Sequence, residues 1–426
     1  MEKNRIYWKP EIETAPREKL VEMQEEKLRT LLKNAYERTV FYKRKFDKTG
    51  IKPEDIKSLD DVKHLPFTEY VEDFVTTPVE EKLMVPMDEI AVIWSTSGTL
   101  SGSPQLVLLS REEHRHVVSM VIRFLYLTGV TPQDTVFLLL SNDAWIMGII
   151  ELGAKVIPGL GPASIPDNQI KLIEKAKVTA VLTMPSYILH LVERGKSLGI
   201  DIKNTSLRMG IFVGEPWAES VRKKIEEEWG MVFYNAYGLA ELPGRGGECQ
   251  ERSGIHIWAD YSIIEIIDPK TGKILPPGEE GEIVITNLAP KAMPLIRYRT
   301  GDVAKILDQG VCGCGRTHPR ISGIRGRVDH IINVGDVKVF PSDIEEVLGR
   351  TPGFGSEYQI IANKAGNQEV LEVKAEYREG TGNLKQLRNR LEDEIEAYLS
   401  VKVTVEMVAP GGLPKTMWKA QRIVKR

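Results

Sequence analysis

Cysteine is scarce here, with Cys249, Cys312 and Cys314 the only three in 426 residues. A small, odd number excludes the disulfide framework of a small secreted domain. An excess of charge is missing too: 57 Lys and Arg stand against 60 Asp and Glu, a net charge of -3. No global field draws such a chain to nucleic acid or to an anionic membrane. Nor is there an uncharged apolar run of about 18 residues, the length of a spanning helix. Met1-Glu2-Lys3-Asn4-Arg5 leads into no apolar stretch of signal-peptide length. These absences predict a soluble, cytoplasmic protein with neither a nucleic-acid nor a membrane partner. What is present is bulk, since 42% hydrophobic residues over this length can fill the cores of two or three domains.

The stretch that stands out is Tyr237-Gly238-Leu239-Ala240-Glu241. Gly238 allows a turn or a close approach, Tyr237 offers a ring face, and Glu241 supplies the hard oxygen that Mg2+ prefers. Upstream, residues 90–94 read as a buried strand running into Ser95-Thr96-Ser97-Gly98-Thr99-Leu100-Ser101-Gly102-Ser103-Pro104. Hydroxyls and backbone N–H groups at that density suit a phosphate. No lysine occupies the place that the P-loop signature demands, which argues against a Walker-type NTPase.

Around these loops the pattern alternates. Leu20, Met23, Leu28, Leu31, Leu32 and Ala35 predict one packing helix over 16–42, and Pro53, Pro66 and Pro78 break 51–78 into turns. Helices over 112–127, 167–176, 187–195 and 219–229 then alternate with strands over 135–140, 154–158, 180–184 and 209–213, an α/β pattern. Ligands of such sheets sit at carboxyl ends of strands. The strand ends at Asn142-Asp143, 159–162, Pro185-Ser186-Tyr187 and Gly214-Glu215-Pro216 therefore belong on one side with 237–241. From Ser262 the period becomes two, over 263–267 and 282–285, predicting an antiparallel subdomain that ends with Arg297, Arg299 and Asp302 in a turn. The last hundred residues read as a separate α+β unit. Gly335-Asp336 marks a hairpin, Ser342-Asp343-Ile344-Glu345 a capping box, and 383–399 a second helix.

Taken in order, these pieces resemble the adenylate-forming superfamily, specifically its phenylacetate-CoA ligase branch. The likeness rests on Phe41-Tyr42-Lys43-Arg44-Lys45-Phe46, Leu65-Pro66-Phe67, the loop at 95–104, Gly214-Glu215-Pro216-Trp217 and Tyr237 to Glu241. It continues through Tyr298-Arg299-Thr300-Gly301-Asp302, Gly326-Arg327-Val328-Asp329, Val339-Phe340-Pro341-Ser342-Asp343-Ile344-Glu345 and Lys419. It implies an α/β fold with a large multi-subdomain domain over 1–327, parallel α/β sheets plus a β-rich part. A small mobile α+β lid would follow over 329–426, hinged at Asp329.

The implied chemistry is ATP-dependent activation of a carboxylic acid, aryl or arylacetic, to an acyl-adenylate, followed by thioester formation with coenzyme A. Two anions meet when a carboxylate attacks the α-phosphate, so cations and donors must be positioned there. By resemblance Lys419 bridges carboxylate and phosphate, and Arg327 contacts the nucleotide. Ser95, Thr96, Ser97, Gly98 and Thr99 would hold the β- and γ-phosphates, Glu241 would ligate Mg2+, and Asp302 would take the ribose hydroxyls. Gly214, Glu215, Pro216, Ala236, Tyr237 and Gly238 would line the nucleotide, with Trp145, Gly161, Tyr187, Ala236 and Tyr237 as acyl contacts. Transfer to a carrier-protein thiol and a non-catalytic nucleotide-binding role are the alternatives. A zinc-ribbon nucleic-acid binder is disfavoured by the charge balance, and a homodimer stays open.

From spacing alone, Cys249, His256, Cys312 and Cys314 suit a closed structural zinc set and unrelated buried thiols equally well. The resemblance, which includes similar arrangements, favours zinc. Departures from the family pattern also stand out. The phosphate loop lacks the usual lysine, Ala240 and Trp418 replace a common Thr and Gly, and Asn142-Asp143-Ala144-Trp145 replaces an aromatic and Gly-rich segment of the aryl pocket.

Overall fold

The computed structural model describes residues 7–96, 98, 102–139, 143–307, 310–365, 368–414 and 422–425. They group into two compact units, one of Met1–Asp134, Ser141–Val156 and Tyr234–Gly323, the other of Thr135–Leu140, Ile157–Phe233 and Ile324–Arg426. Both mix helices with sheets, as the alternating pattern anticipates. No described helix is long and apolar enough to cross a membrane.

In the first unit the helix expected over 16–42 is two helices, Arg17–Arg38 and Val40–Thr49. Thr39 separates them: its backbone is extended, and its Oγ1 accepts the Tyr42 N–H at 3.0 Å. A capping hydroxyl satisfies a donor that a continuing helix would have satisfied otherwise. Phe41, Tyr42 and Phe46 then pack with Leu28, Leu32 and Ile296 in one core.

Strands Ser262–Ile267, Gly281–Asn287 and Tyr298–Ala304 pair antiparallel in that order. The expected turn at 298–302 is therefore a strand, with left-handed backbone at Arg297 just before it, φ 45°, and at Gly301 within it, φ 75°. The strand expected to be buried, Ile90–Ser95, is instead half of a two-stranded ribbon with Leu106–Ser110. Its side chains alternate toward solvent, and Ile93 is 56% exposed.

Helix Arg111–Thr128 starts from Ser110, whose Oγ accepts the Glu113 N–H. Helix Asp143–Leu152 packs on it where the sequence suggested only a strand end. Gly148 permits that contact, because a Cβ there would lie 2.7 Å from Val121 Cγ1.

The second unit holds parallel strands Thr135–Leu138, Ala180–Thr183 and Met209–Phe212. Helices Pro166–Lys175, Pro185–Ser197 and Glu219–Trp229 contribute to a core of Phe137, Ile170, Val181, Leu191, Phe212 and Trp229. Its C-terminal segment has a core of its own, with Ile344, Leu348, Ile360, Val373 and Leu391 fully buried. There the hairpin Ile332–Val334 and Val337–Val339 turns at Gly335, φ 61°. Helix Pro341–Arg350 follows. Proline suits the first helical position, so Phe340 becomes the flanking residue and its N–H donates to Asp343 Oδ2 at 2.9 Å. The capping pair is thus Phe340 and Asp343, not Ser342 and Glu345.

Candidate active site

Strand Val232–Tyr237 carries Ala236 and Tyr237 to its end, and the following turn brings Gly238 and Glu241 round. Gly238 is required by its own chain, since a Cβ there would sit 2.7 Å from Gly244 N. Tyr237 is buried, and its hydroxyl donates to Asp302 Oδ2 at 3.1 Å. Tyr298, four residues before Asp302, donates its hydroxyl to Glu241 Oε1 at 3.2 Å. Two carboxylates are thereby each oriented by a phenol, and both stay partly exposed. Carboxylate oxygens held in this way can accept hydroxyls or a hard cation. The partnership of Tyr298 with Glu241 was not apparent in the sequence.

The base of the phosphate loop is closed by backbone. Thr96 N–H donates to Gln105 O at 2.9 Å, and Thr96 Oγ1 accepts Gln105 N–H at 3.0 Å. Gly98 takes φ 70°, and a Cβ there would meet Ser103 C at 2.6 Å, so only glycine fits. Ser95 ends the strand opposite Leu106. Ser97 and Thr99 lie outside the described residues, as does Lys419.

Trp145 sits on helix Asp143–Leu152 with its ring edge-on to Phe124, centroids 5.7 Å apart. Two residues before it, Asp143 accepts the Trp94 Nε1–H at 2.9 Å and lies 2.8 Å from His114 Nε2.

The four soft side chains come together. The ligand atoms of Cys249, His256, Cys312 and Cys314 all lie within 4.8 Å of one another. Cys249 Sγ is 3.7 Å from Cys312 Sγ, and His256 Nε2 is 3.6 Å from Cys314 Sγ. The hydrogen bond between Cys249 and Cys312 pushes the Cys249 thiol up and pulls Cys312 down. Three thiols and an imidazole this close together fit the ligand set and size of a Zn2+ site.

In the second unit Gly214 takes φ 83° and is exposed, and Glu215 Oε2 accepts the Ser186 N–H at 3.2 Å. Pro216 is exposed beside them. Tyr187 turns its hydroxyl to Gln169 Oε1 at 2.8 Å and packs against the core, and Gly161 takes φ 57°. Arg327 Nε donates to Asp329 Oδ1 at 2.9 Å.

Two further acceptors there went unread in the sequence. Glu345 Oε2 accepts the Ala218 N–H and Glu346 Oε2 the Ser220 N–H, both at 2.9 Å. The available signal was Ala218 itself, a residue without an acceptor placed where a helix should be capped. Burial pushes the Glu345 carboxyl up, the Arg422 charge opposes this, and Glu215 adds to it.

Comparison with known proteins identifies the family. Residues 18–289 match the AMP-binding enzyme family, and residues 336–426 match the AMP-binding enzyme C-terminal domain. A phenylacetate-coenzyme A ligase of Thermus thermophilus is 33% identical, over 96% of this chain and 97% of its own length. One from Escherichia coli is also 33% identical, over 97% and 96%. Among solved structures, 2-hydroxyisobutyryl-CoA ligase in the postadenylation state with 2-HIB-AMP superposes with TM-score 0.92 at 26% identity. That match covers 100% of this chain and 93% of the other. The same ligase with 2-HIB-AMP and CoA in the thioesterification state superposes with TM-score 0.73 at 28% identity, covering 98% and 92%.

Proposed function

Since this chain belongs to the AMP-binding enzymes, in their phenylacetate-CoA ligase branch, and is an AMP-forming acid–CoA ligase, we propose that its acid is aryl or arylacetic. The observation that carries the site assignment is the pairing of Glu241 and Asp302 with Tyr298 and Tyr237. In this reading Asp302 accepts the ribose hydroxyls, Tyr237 and Ala236 border the nucleotide with Gly214, Glu215 and Pro216, and residues 95–99 receive the terminal phosphates through N–H and hydroxyl donors. Glu241 is the residue that would hold Mg2+, which supplies positive charge to the triphosphate when bound.

The substrate carboxylate oxygen attacks the α-phosphorus, the bond to the bridging oxygen breaks, and pyrophosphate leaves. Lys419 offsets the negative charge brought together in that step, and Arg327 assists at the nucleotide. The coenzyme A thiolate then attacks the acyl carbon and AMP departs. The segment after Asp329 acts as a lid in this scheme, turning between the two steps. Cys249, His256, Cys312 and Cys314 would hold one structural Zn2+, which ties the segment after Glu241 to that after Asp302 and leaves no open position for chemistry. A cytoplasmic setting and a homodimer belong to the same reading and enter no step.

A short hydroxylated acid is the second reading. It is favoured by Asp143, an oriented carboxylate at the start of the helix that carries Trp145. Acid-dependent ATP/pyrophosphate exchange over aryl, arylacetic and short hydroxylated acids separates the two. Exchange with the best acid is expected to fall about 100-fold or more in Lys419→Ala. Exchange with no acid at all would overturn the assignment.

A further inference from the structure

We propose that Glu345 and Glu346 form a latch: they cap helix Glu219–Trp229 from outside it, and so position the C-terminal segment for adenylate formation. The proposal rests on the reading of residues after Asp329 as a moving lid, and adds which contacts hold that lid.

An α-helix begins with four N–H groups that find no acceptor within it. Serine, threonine, aspartate or asparagine normally answers one of them, whereas alanine cannot. Helix Glu219–Trp229 has Ala218 at that position and no side-chain cap of its own. Its Ala218 and Ser220 N–H groups are answered by two consecutive carboxylates of helix Pro341–Arg350, each at 2.9 Å. Negative charge is also favoured at that end by the helix dipole.

The two helices touch along the next turn. A Cβ on Gly349 would lie 2.5 Å from Ser220 Oγ and 3.2 Å from Ser220 Cβ, so no side chain separates them. Farther along, Lys224 Nζ donates to Gly355 O at 2.9 Å, and Arg378 lies 3.6 Å from Glu228. One helix thus serves as a rail that meets the C-terminal segment at four places. Rotation of that segment must uncap it. In this proposal the latched arrangement belongs to the adenylation side of the cycle.

The test is a lock. Ser220→Cys with Gly349→Cys places two thiols within about the Cβ separation that a disulfide spans, and oxidised glutathione closes the bond, as read by mass. Oxidised protein is expected to keep pyrophosphate exchange within about two-fold while coenzyme A thioester formation drops at least ten-fold, and reductant restores it. Single-cysteine variants control for the native thiols. A bond that does not form, or a locked enzyme that still makes thioester at the full rate, overturns the latch.

A second variant separates positioning from mere helix stability. Glu345→Ala with Glu346→Ala should lower exchange several-fold yet leave thioester formation from added acyl-adenylate intact. Adding Ala218→Ser should then recover the melting temperature but not the exchange. Recovery of both overturns the proposal. Wild-type enzyme that exchanges with no acid would instead sink the ligase assignment, and crosslinking yield would still decide the latch.

Discussion

Arg123 is wholly buried, and its charge is balanced by a carboxylate and by aromatic rings packed around it. Asp260 takes it bidentately at 2.6 and 2.9 Å, and the Trp258 ring lies 5.0 Å from its centre. Removing one member would leave an uncompensated buried charge, the costly half of such a pair. Close by, His318 is buried, and its Nδ1 accepts the Ala259 N–H at 3.1 Å. Burial lowers its pKa from 6.5 to about 3, with the Arg123 charge helping. A histidine held neutral in the fold contributes stability above its unfolded pKa and loses it as pH falls. Stability should therefore drop by about 1.4 kcal/mol per pH unit below 6.5, down to about 3. Urea unfolding at pH 7 and pH 5 measures it, and His318→Gln, which keeps an acceptor for Ala259, should flatten the slope. None of this was visible beforehand. Arg123 reads as the exposed side of an amphipathic helix until the fold brings Asp260 to it. The pairing of Tyr237 with Asp302 joins residues 65 positions apart and depends on which strands meet. The four zinc-type side chains were legible, because few cysteines exist and their spacing limits what they can form.

Among elements, periodicity found most helices and strands, since burial of one face is a local property of sequence. It failed where a single side chain overrode the period. Thr39 stops a helix that the apolar spacing continues, and Pro341 shifts a cap by two positions. The ribbon of Ile90–Ser95 was misjudged because a run of apolar residues looks the same whether one face or two are covered. Cys249, His256, Cys312 and Cys314 belong to loops and short strands with little apolar surface of their own. Stability at this corner should depend on metal. One zinc per chain is expected by elemental mass spectrometry, and a strong chelator should lower the melting temperature by several degrees with loss of the metal. In Cys312→Ser the zinc should be absent and the chelator should have no further effect. Zinc-free wild-type protein with the same melting temperature would count against the site.

For the whole molecule, the order of segments in sequence hides the units, because each is assembled from separated stretches. The α/β and β-rich regions were readable, but the grouping of 157–233 with 324–426 depends on contacts far apart along the chain. Asp329 lies in a short helical turn, Val328–His330, just before the C-terminal hairpin. Proline there fixes one backbone angle and should impede rotation. In Asp329→Pro, pyrophosphate exchange is expected to stay within about three-fold of wild type, while coenzyme A thioester formation falls ten-fold or more. Equal loss of both rates would remove Asp329 as the pivot.

Ala218 has a consequence for anyone trying to make this protein more heat-resistant. Replacing a poor cap is a standard stabilising change, worth about 1 kcal/mol, and position 218 would rank high in such a search. A serine there would make the helix self-sufficient and weaken its dependence on the two glutamates. Hardier protein with slower turnover is the expected product, and this uncapped end is the one to leave alone.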